Sequence, residues 1–200
     1  YRRTVAVDNI DLQIPAGRIV GLIGPNGAGK TSALKAILGL ATYEGELTVL
    51  GKSPSKDRAS LMEDVCFIAD VAVLPRWIKV WQLIDLTEDI HPKFSREKCL
   101  KYLSTTKVTL DHRVKQLSKG MVAQLHLAIV MAIDVKLLVL DEPTNDLDVE
   151  TLEVLEARLT EYSGTLIVVS HDREFLDNIV TSILVFEDDG IVHEYVGGYS

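Results

Sequence analysis

The chain has 200 residues, with 21 Lys and Arg against 29 Asp and Glu, which gives a formal net charge of -8 at pH 7. Its 47% hydrophobic and 25% charged residues are ordinary globular proportions that exclude a disordered or fibrous chain. No uncharged apolar run approaches the roughly 20 residues that a membrane-spanning helix needs. The two cysteines, Cys66 and Cys99, lack metal-binding spacing. We therefore expect a globular protein of a reducing compartment.

Charge is distributed unevenly along the chain. Residues 1–144 hold 19 basic and 16 acidic residues for a net charge of +3, whereas residues 145–200 hold 2 and 13 for a net charge of -11. The acidic last third is a poor nonspecific ligand for nucleic acid, so we expect no direct DNA binding.

Short apolar runs alternate with helical patterns, which predicts an α/β fold with a mostly parallel sheet flanked by helices. The alternating segment 5–14 and the short strand 46–50 instead predict an antiparallel β flank, and residues about 75–134 predict a helical arm. Buried strands are predicted at 18–23, 64–69, 136–140 and 165–169, with a hairpin of 183–186 and 191–196. Helices are predicted at 28–38, 96–103, 118–133, 149–162 and 172–180. We expect residues 1–200 to form a single domain.

Residues 24–31 match the phosphate-loop pattern G-x-x-x-x-G-K-[ST] between a predicted strand and a predicted helix, as in a P-loop NTPase core. Glycines let backbone N–H groups turn toward a phosphate, and the helix N-terminus adds the positive end of its dipole. Lys30 is expected to reach the β- and γ-phosphates, and Thr31 to hold Mg²⁺. The predicted nucleotide-binding residues of this segment are Gly24, Pro25, Asn26, Gly27, Ala28, Gly29, Lys30, Thr31 and Ser32.

Two acidic residues follow the apolar run 137–140. Asp141 is expected at the carboxyl edge of the sheet, where ligands bind in open α/β folds, and is a candidate Mg²⁺ ligand. Glu142 comes one residue later, where its carboxylate could polarise the water that attacks a phosphate.

With these motifs, the chain resembles an ABC-type ATPase domain over nearly all of its length. Leu-Ser-Lys-Gly-Met at residues 117–121 stands where that family has its signature, usually LSGGQ. The resemblance implies that Ser118 caps the next helix and that Ser118 and Gly120 bind the γ-phosphate of ATP held by another copy. His126, on the same helix, is expected to be a packed core histidine.

Further positions match the family one by one. Residues 145–148, Asn-Asp-Leu-Asp, are similar to its D-loop, and His171 matches the switch histidine that contacts the γ-phosphate. Tyr1 stands where the family places an aromatic that stacks on adenine. Asp70 departs from the usual glutamine that joins Mg²⁺ to the transmembrane partner, although a carboxylate can also bind Mg²⁺.

Two branches of the family are represented. Residues 1 to about 135 resemble the ATPases of type-two ABC exporters, whereas residues about 136–200 resemble the ABC-F branch, whose members act on ribosomes. The charge step falls near the same boundary. We interpret the chain as a mosaic of two ABC domains, such as an engineered recombinant, with a join at about 130–144. The alternative is a natural, divergent domain.

The resemblance implies ATP hydrolysis with Mg²⁺ by an ATP-sandwich homodimer, with Glu142, His171 and Lys30 as catalytic residues. The leading hypothesis is the ATPase subunit of an exporter, partnered by a transmembrane permease and located in the cytoplasm at the inner face of the membrane. The alternatives are a fragment of a ribosome-associated ABC-F translation factor and an engineered chimeric domain without a physiological partner.

Overall fold

A computed structural model describes residues 6–8, 10–68, 74–145, 147, 149–187 and 190–198. In this part of the chain, six strands form one sheet in the order β2-β3-β4-β1-β5-β6. The strands are β1 (Ile19–Ile23), β2 (Val65–Ile68), β3 (Leu137–Asp141), β4 (Thr165–Val169), β5 (Ser182–Phe186) and β6 (Val192–Val196). All neighbouring strands are parallel except β5 and β6, which form an antiparallel pair. The predicted α/β class with a mostly parallel sheet is confirmed.

Helices cover both faces of the sheet. They are α1 (Lys30–Ile37), α2 (Arg58–Leu61), α3 (Val80–Ile90), α4 (Arg96–Leu103), α5 (Lys119–Val130), α6 (Val149–Thr160) and α7 (Arg173–Ile179). Val139 on one face of the sheet packs in a cluster with Leu34 of α1, and Leu140 on the other face packs in a cluster with Leu155 of α6. Because successive strand residues point to opposite faces, the apolar run of β3 fills both clusters.

The predicted helical arm has a core of its own. Ile84 of α3, Cys99 of α4 and Leu125 of α5 are fully buried in a third apolar cluster. Ser95 caps α4, since its Oγ accepts a hydrogen bond from the Lys98 N–H at 3.3 Å. Among the described helices, none combines the length and apolar character needed to cross a membrane.

The predicted antiparallel flank near the N-terminus is wrong in position. No described residue of 6–14 lies in a strand. Val7 and Ile14 pack against the apolar cluster of Leu34 and Val139, but the side chains of Ile10 and Leu12 are exposed, so the alternation there does not give one continuous buried face. At 46–50, pairing is limited to a bridge in which Val49 and Lys52 exchange two backbone hydrogen bonds of 2.9 Å. The two residues between them both have positive φ, which makes a tight turn rather than a strand. The antiparallel pair of this sheet is β5–β6.

Candidate active site

The phosphate loop connects β1 to α1, as its sequence pattern predicts. Gly24 has a φ of 144°, and a Cβ placed on it would lie 2.3 Å from the main-chain oxygen of Phe186. Gly29 ends the loop at the N-cap of α1 with a φ of 104°. Both positions need glycine because L side chains rarely adopt these angles.

Lys30 is folded into the loop. Its side chain is buried, and its Nζ donates hydrogen bonds to the Gly24 oxygen at 2.7 Å and the Pro25 oxygen at 3.0 Å. The ammonium group is therefore held beside the backbone that is predicted to wrap a phosphate.

A cleft of about 290 Å³ lies between the phosphate loop and the carboxyl ends of β3 and β4. It is lined by Asn26, Gly27, Gly29, Lys30, Thr31, Ser32, Asp141, Glu142 and Val169. The parallel arrangement explains this meeting, because the carboxyl ends of parallel strands share one edge of the sheet. The structure thus brings together the two halves of the predicted nucleotide site.

Glu142 lies directly beyond the end of β3 in an unusual conformation. Its φ is 53°, in the left-handed region that costs a non-glycine residue about 1 kcal/mol or more. The Glu142 N–H donates to the Val169 oxygen at 2.9 Å, which extends the β3–β4 ladder by one bond. Glu142 is held in this conformation by its neighbours.

His171 meets Glu142 across the two strand ends. The His171 Nε2 lies 3.2 Å from the Glu142 Oε1, and the exposed fractions of the two side chains are 58% and 16%. His171 does not line the 290 Å³ cleft. It lines a neighbouring cavity of about 510 Å³ that also contacts Gly24 and Pro25. The predicted pair of a base and a switch histidine is brought together.

The signature segment lies apart from these cavities. Ser118 is the N-cap of α5, and its Oγ accepts a hydrogen bond from the Met121 N–H at 3.2 Å. Ser118 is exposed and Gly120 is buried in the first turn of α5. Neither residue lines the cleft, because the lining residues belong to the phosphate loop and to the ends of β3 and β4.

Two predicted site residues, Tyr1 and Asp70, lie outside the described residues, as do Asp146 and Asp148 of the predicted D-loop. His126 is half-buried on α5, and burial lowers its pKa, in agreement with a packed histidine. The described residues contain no cluster of three His, Cys, Asp or Glu side chains that could hold a metal ion by themselves.

One polar contact near the site escapes motif analysis. The Thr144 Oγ1 lies 3.0 Å from the Ser170 Oγ, although 26 residues separate them in sequence. Thr144 follows Glu142 by two residues and Ser170 directly precedes His171, but only the strand register reveals that the two hydroxyls meet.

The sequence model of the family described as ABC transporter matches residues 7–145. The chain belongs to this family. Its ATPase domain is 34% identical to the energy-dependent translational throttle protein EttA of Escherichia coli K12 over 200 residues, which cover all of this chain and 35% of EttA. It is 38% identical to an ATP-binding protein of Haemophilus influenzae described as Uup-like, over 92% of this chain and 39% of that protein. The chain thus spans about a third of the length of these curated relatives.

Solved structures share the same fold. The ABC domain superimposes on the dimeric, post-hydrolysis ATP-binding cassette MJ0796 bound to ADP and Pi with a TM-score of 0.77 at 25% identity, over 96% of this chain and 90% of that one. An ATP-binding subunit of an ABC transporter gives a TM-score of 0.85 at 20% identity, over 98% and 85% of the two chains.

Proposed function

We propose that this ABC domain hydrolyses ATP in the 290 Å³ cleft, as a homodimer in which each copy completes the site of the other. The contact between Glu142, which lines this cleft, and His171, 3.2 Å away, carries the proposal. A carboxylate and an imidazole at that place can activate a water and contact the terminal phosphate.

Phosphate binding uses the loop backbone and Lys30. The Nζ of Lys30, now bonded to two loop oxygens, is within the same cleft as Thr31 and can turn to the β- and γ-phosphates as a point charge. The N-terminus of α1 adds its dipole. Adenine stacking by Tyr1 rests on the family resemblance.

The donors in the cleft fit Mg²⁺. This ion is usually held by one or two protein oxygens together with phosphate and water, so the Thr31 hydroxyl and the Asp141 carboxylate would be a sufficient protein contribution. When bound, Mg²⁺ neutralises charge that develops on the phosphates. Asp70 is a further proposed ligand on the strength of the resemblance alone.

Hydrolysis requires an oriented water. Glu142 is mostly buried, so its carboxylate is a fixed acceptor for the proton that the attacking water loses. His171 donates toward Glu142 or toward the γ-phosphate through its Nε2. Its exposed position leaves it accessible to a nucleotide or a second copy.

If a second copy completes the ATP site, the position of the signature segment at residues 117–121 is explained. Ser118 is exposed at the start of α5 and absent from the lining of its own cleft. In a homodimer, Ser118 and Gly120 would face the γ-phosphate bound by the other copy. The similar cassette MJ0796 is described as dimeric.

The test compares Glu142→Gln with Lys30→Ala. Glu142→Gln should keep ATP affinity, lose turnover and form a dimer with Mg-ATP, measured by light scattering after size exclusion, because an amide cannot accept the proton. Lys30→Ala should lose ATP affinity and stay monomeric under the same conditions. Normal turnover by Glu142→Gln, or a Glu142→Gln protein that binds ATP but stays monomeric at all concentrations, would refute the proposal.

For the biological role, we propose coupling to a transmembrane permease at the inner face of the membrane, as the ATPase subunit of an exporter. The signature Leu-Ser-Lys-Gly-Met at 117–121 and the arm support this role by their resemblance to exporter ATPases. Co-purification of the tagged chain with a membrane subunit is the expected result, and its failure from solubilised membranes would contradict the role.

A role in translation is the second candidate. It is favoured by the match of the entire chain to EttA, which is named a translational throttle protein. Co-sedimentation with ribosomes in the presence of ATP would favour this candidate over the exporter. The proposed join at about 130–144 stays a prediction, as does an engineered chimera without a partner.

A further inference from the structure

A hydrogen-bonded pair of hydroxyl groups, from the half-buried Thr144 and the buried Ser170, joins the two loops that carry Glu142 and His171. The Thr144 Oγ1 and the Ser170 Oγ are 3.0 Å apart, and Ser170 is only 2% exposed. We propose that this pair positions Glu142 against His171, so that its loss lowers turnover while nucleotide affinity is retained. This inference rests on the proposed function, in which Glu142 and His171 act on ATP.

The main chain fixes part of this geometry, since the Glu142 oxygen accepts a hydrogen bond from the Asn145 N–H at 3.3 Å. In the β3–β4 register, Asp141 is opposite Val169, and the Glu142 N–H bond to the Val169 oxygen closes the ladder. Glu142 then takes its left-handed φ of 53°, a conformation that persists only where the surroundings enforce it. The Thr144–Ser170 contact lies beyond this point on both loops and is therefore well placed to enforce it.

Ser170 connects the contact to a rigid element. Its Oγ also accepts a hydrogen bond from the Asp172 N–H at 3.1 Å. Asp172 is the N-cap of α7, where its Oδ1 accepts from the N–H of the fully buried Phe175 at 3.1 Å. Thr144 is thus tied through one hydroxyl to the helix that follows His171. A buried hydroxyl that loses its partner is costly, which resists any separation of the two loops.

Thr144→Val is the test, because it removes the hydroxyl at nearly constant volume. It should lower kcat about five- to tenfold, the range that the net contribution of one hydrogen bond allows, and leave KM within about twofold. Thr144→Ser retains the hydroxyl and should restore kcat to within about twofold of the wild type.

Thr165→Val is the matched control. Thr165 lies at the opposite end of β4, is buried, and its Oγ1 accepts a hydrogen bond from the Gly17 N–H at 3.1 Å. This variant removes a comparable buried hydroxyl bond and should lower the melting temperature while leaving kcat unchanged. A kcat that falls equally in Thr165→Val and Thr144→Val would show a general loss of stability and overturn the positioning role.

Glu142→Gln, measured in parallel, separates the two proposals. If Glu142→Gln is inactive while Thr144→Val keeps the wild-type kcat, or raises KM alone, only the positioning role is overturned. If Glu142→Gln turns over ATP normally, the proposed function itself fails. Should Thr144→Val not fold, Thr144→Ala replaces it, and amide exchange across residues 142–145 provides the readout. Exchange about fivefold faster than in the wild type is expected, and wild-type exchange would overturn the role.

Discussion

Gly24→Ala should destabilise the protein and weaken nucleotide binding together. The substitution adds strain of about 1–3 kcal/mol for a side chain at a φ of 144°. In addition, the new Cβ would lie 2.3 Å from the Phe186 oxygen, which is main chain at the end of β5 and cannot rotate away. We expect a total cost of at least about 3 kcal/mol. For a chain of this size, that lowers the melting temperature by about 6–12 °C.

Gly45→Ala separates the collision from the strain. Gly45 has a φ of 93°, but a Cβ there would have nothing within 4 Å, so only the strain of about 1 kcal/mol applies. Its melting temperature should fall by about 2–4 °C. Because the Gly24 oxygen accepts a hydrogen bond from Lys30, only Gly24→Ala should also reduce ATP affinity. Calorimetry and nucleotide titration measure both effects, and equal melting temperatures for the two variants would refute the collision.

Two further predictions concern buried groups outside the cleft. The Lys93 hydrogen bond is the main cause that lowers the pKa of Asp64, so the Asp64 carboxylate stabilises the fold at neutral pH. Asp64→Asn should cost about 1–3 kcal/mol in urea unfolding at pH 7. That deficit should shrink as the pH falls from about 4 through the depressed pKa of the folded state, and a pH-independent deficit would contradict it. Burial raises the pKa of Cys66 to about 11 and that of Cys99 to about 12. Iodoacetamide at pH 8 should therefore label the folded chain far more slowly than the urea-unfolded chain, as followed by intact mass.

Elements with strong local signals could be predicted from sequence. The apolar run Leu166–Val169 is sufficient to predict β4, since every residue of that strand is buried. Ser95 and Ser118 mark the starts of α4 and α5 because an N-cap hydroxyl is a local requirement. The short helix α2 (Arg58–Leu61) has a single turn and no comparable periodicity, so the sequence does not predict it.

The wrong prediction of an N-terminal strand and the unpredicted contact between Thr144 and Ser170 have the same explanation. Alternation in residues 5–14 predicts a strand only if another strand is available beside it. In the described part of this segment, the main chain bonds through the Asp8 N–H to the Gly190 oxygen at 3.2 Å and forms no ladder. Likewise, Thr144 and Ser170 meet because β3 and β4 are neighbours in register. A local stretch of sequence does not determine strand order or register. In contrast, a local sequence pattern is sufficient to predict the phosphate loop.

The backbone of Glu142 has a consequence for engineering this protein. At a φ of 53°, glycine or asparagine has a lower conformational energy than glutamate. The backbone conformation therefore disfavours the glutamate that stands at position 142. A selection that rewards thermal resistance alone would tend to discard the glutamate and enrich such replacements. Heat-resistant variants obtained in that way would accumulate as inactive nucleotide binders, so any directed evolution of this fold has to score turnover in every round.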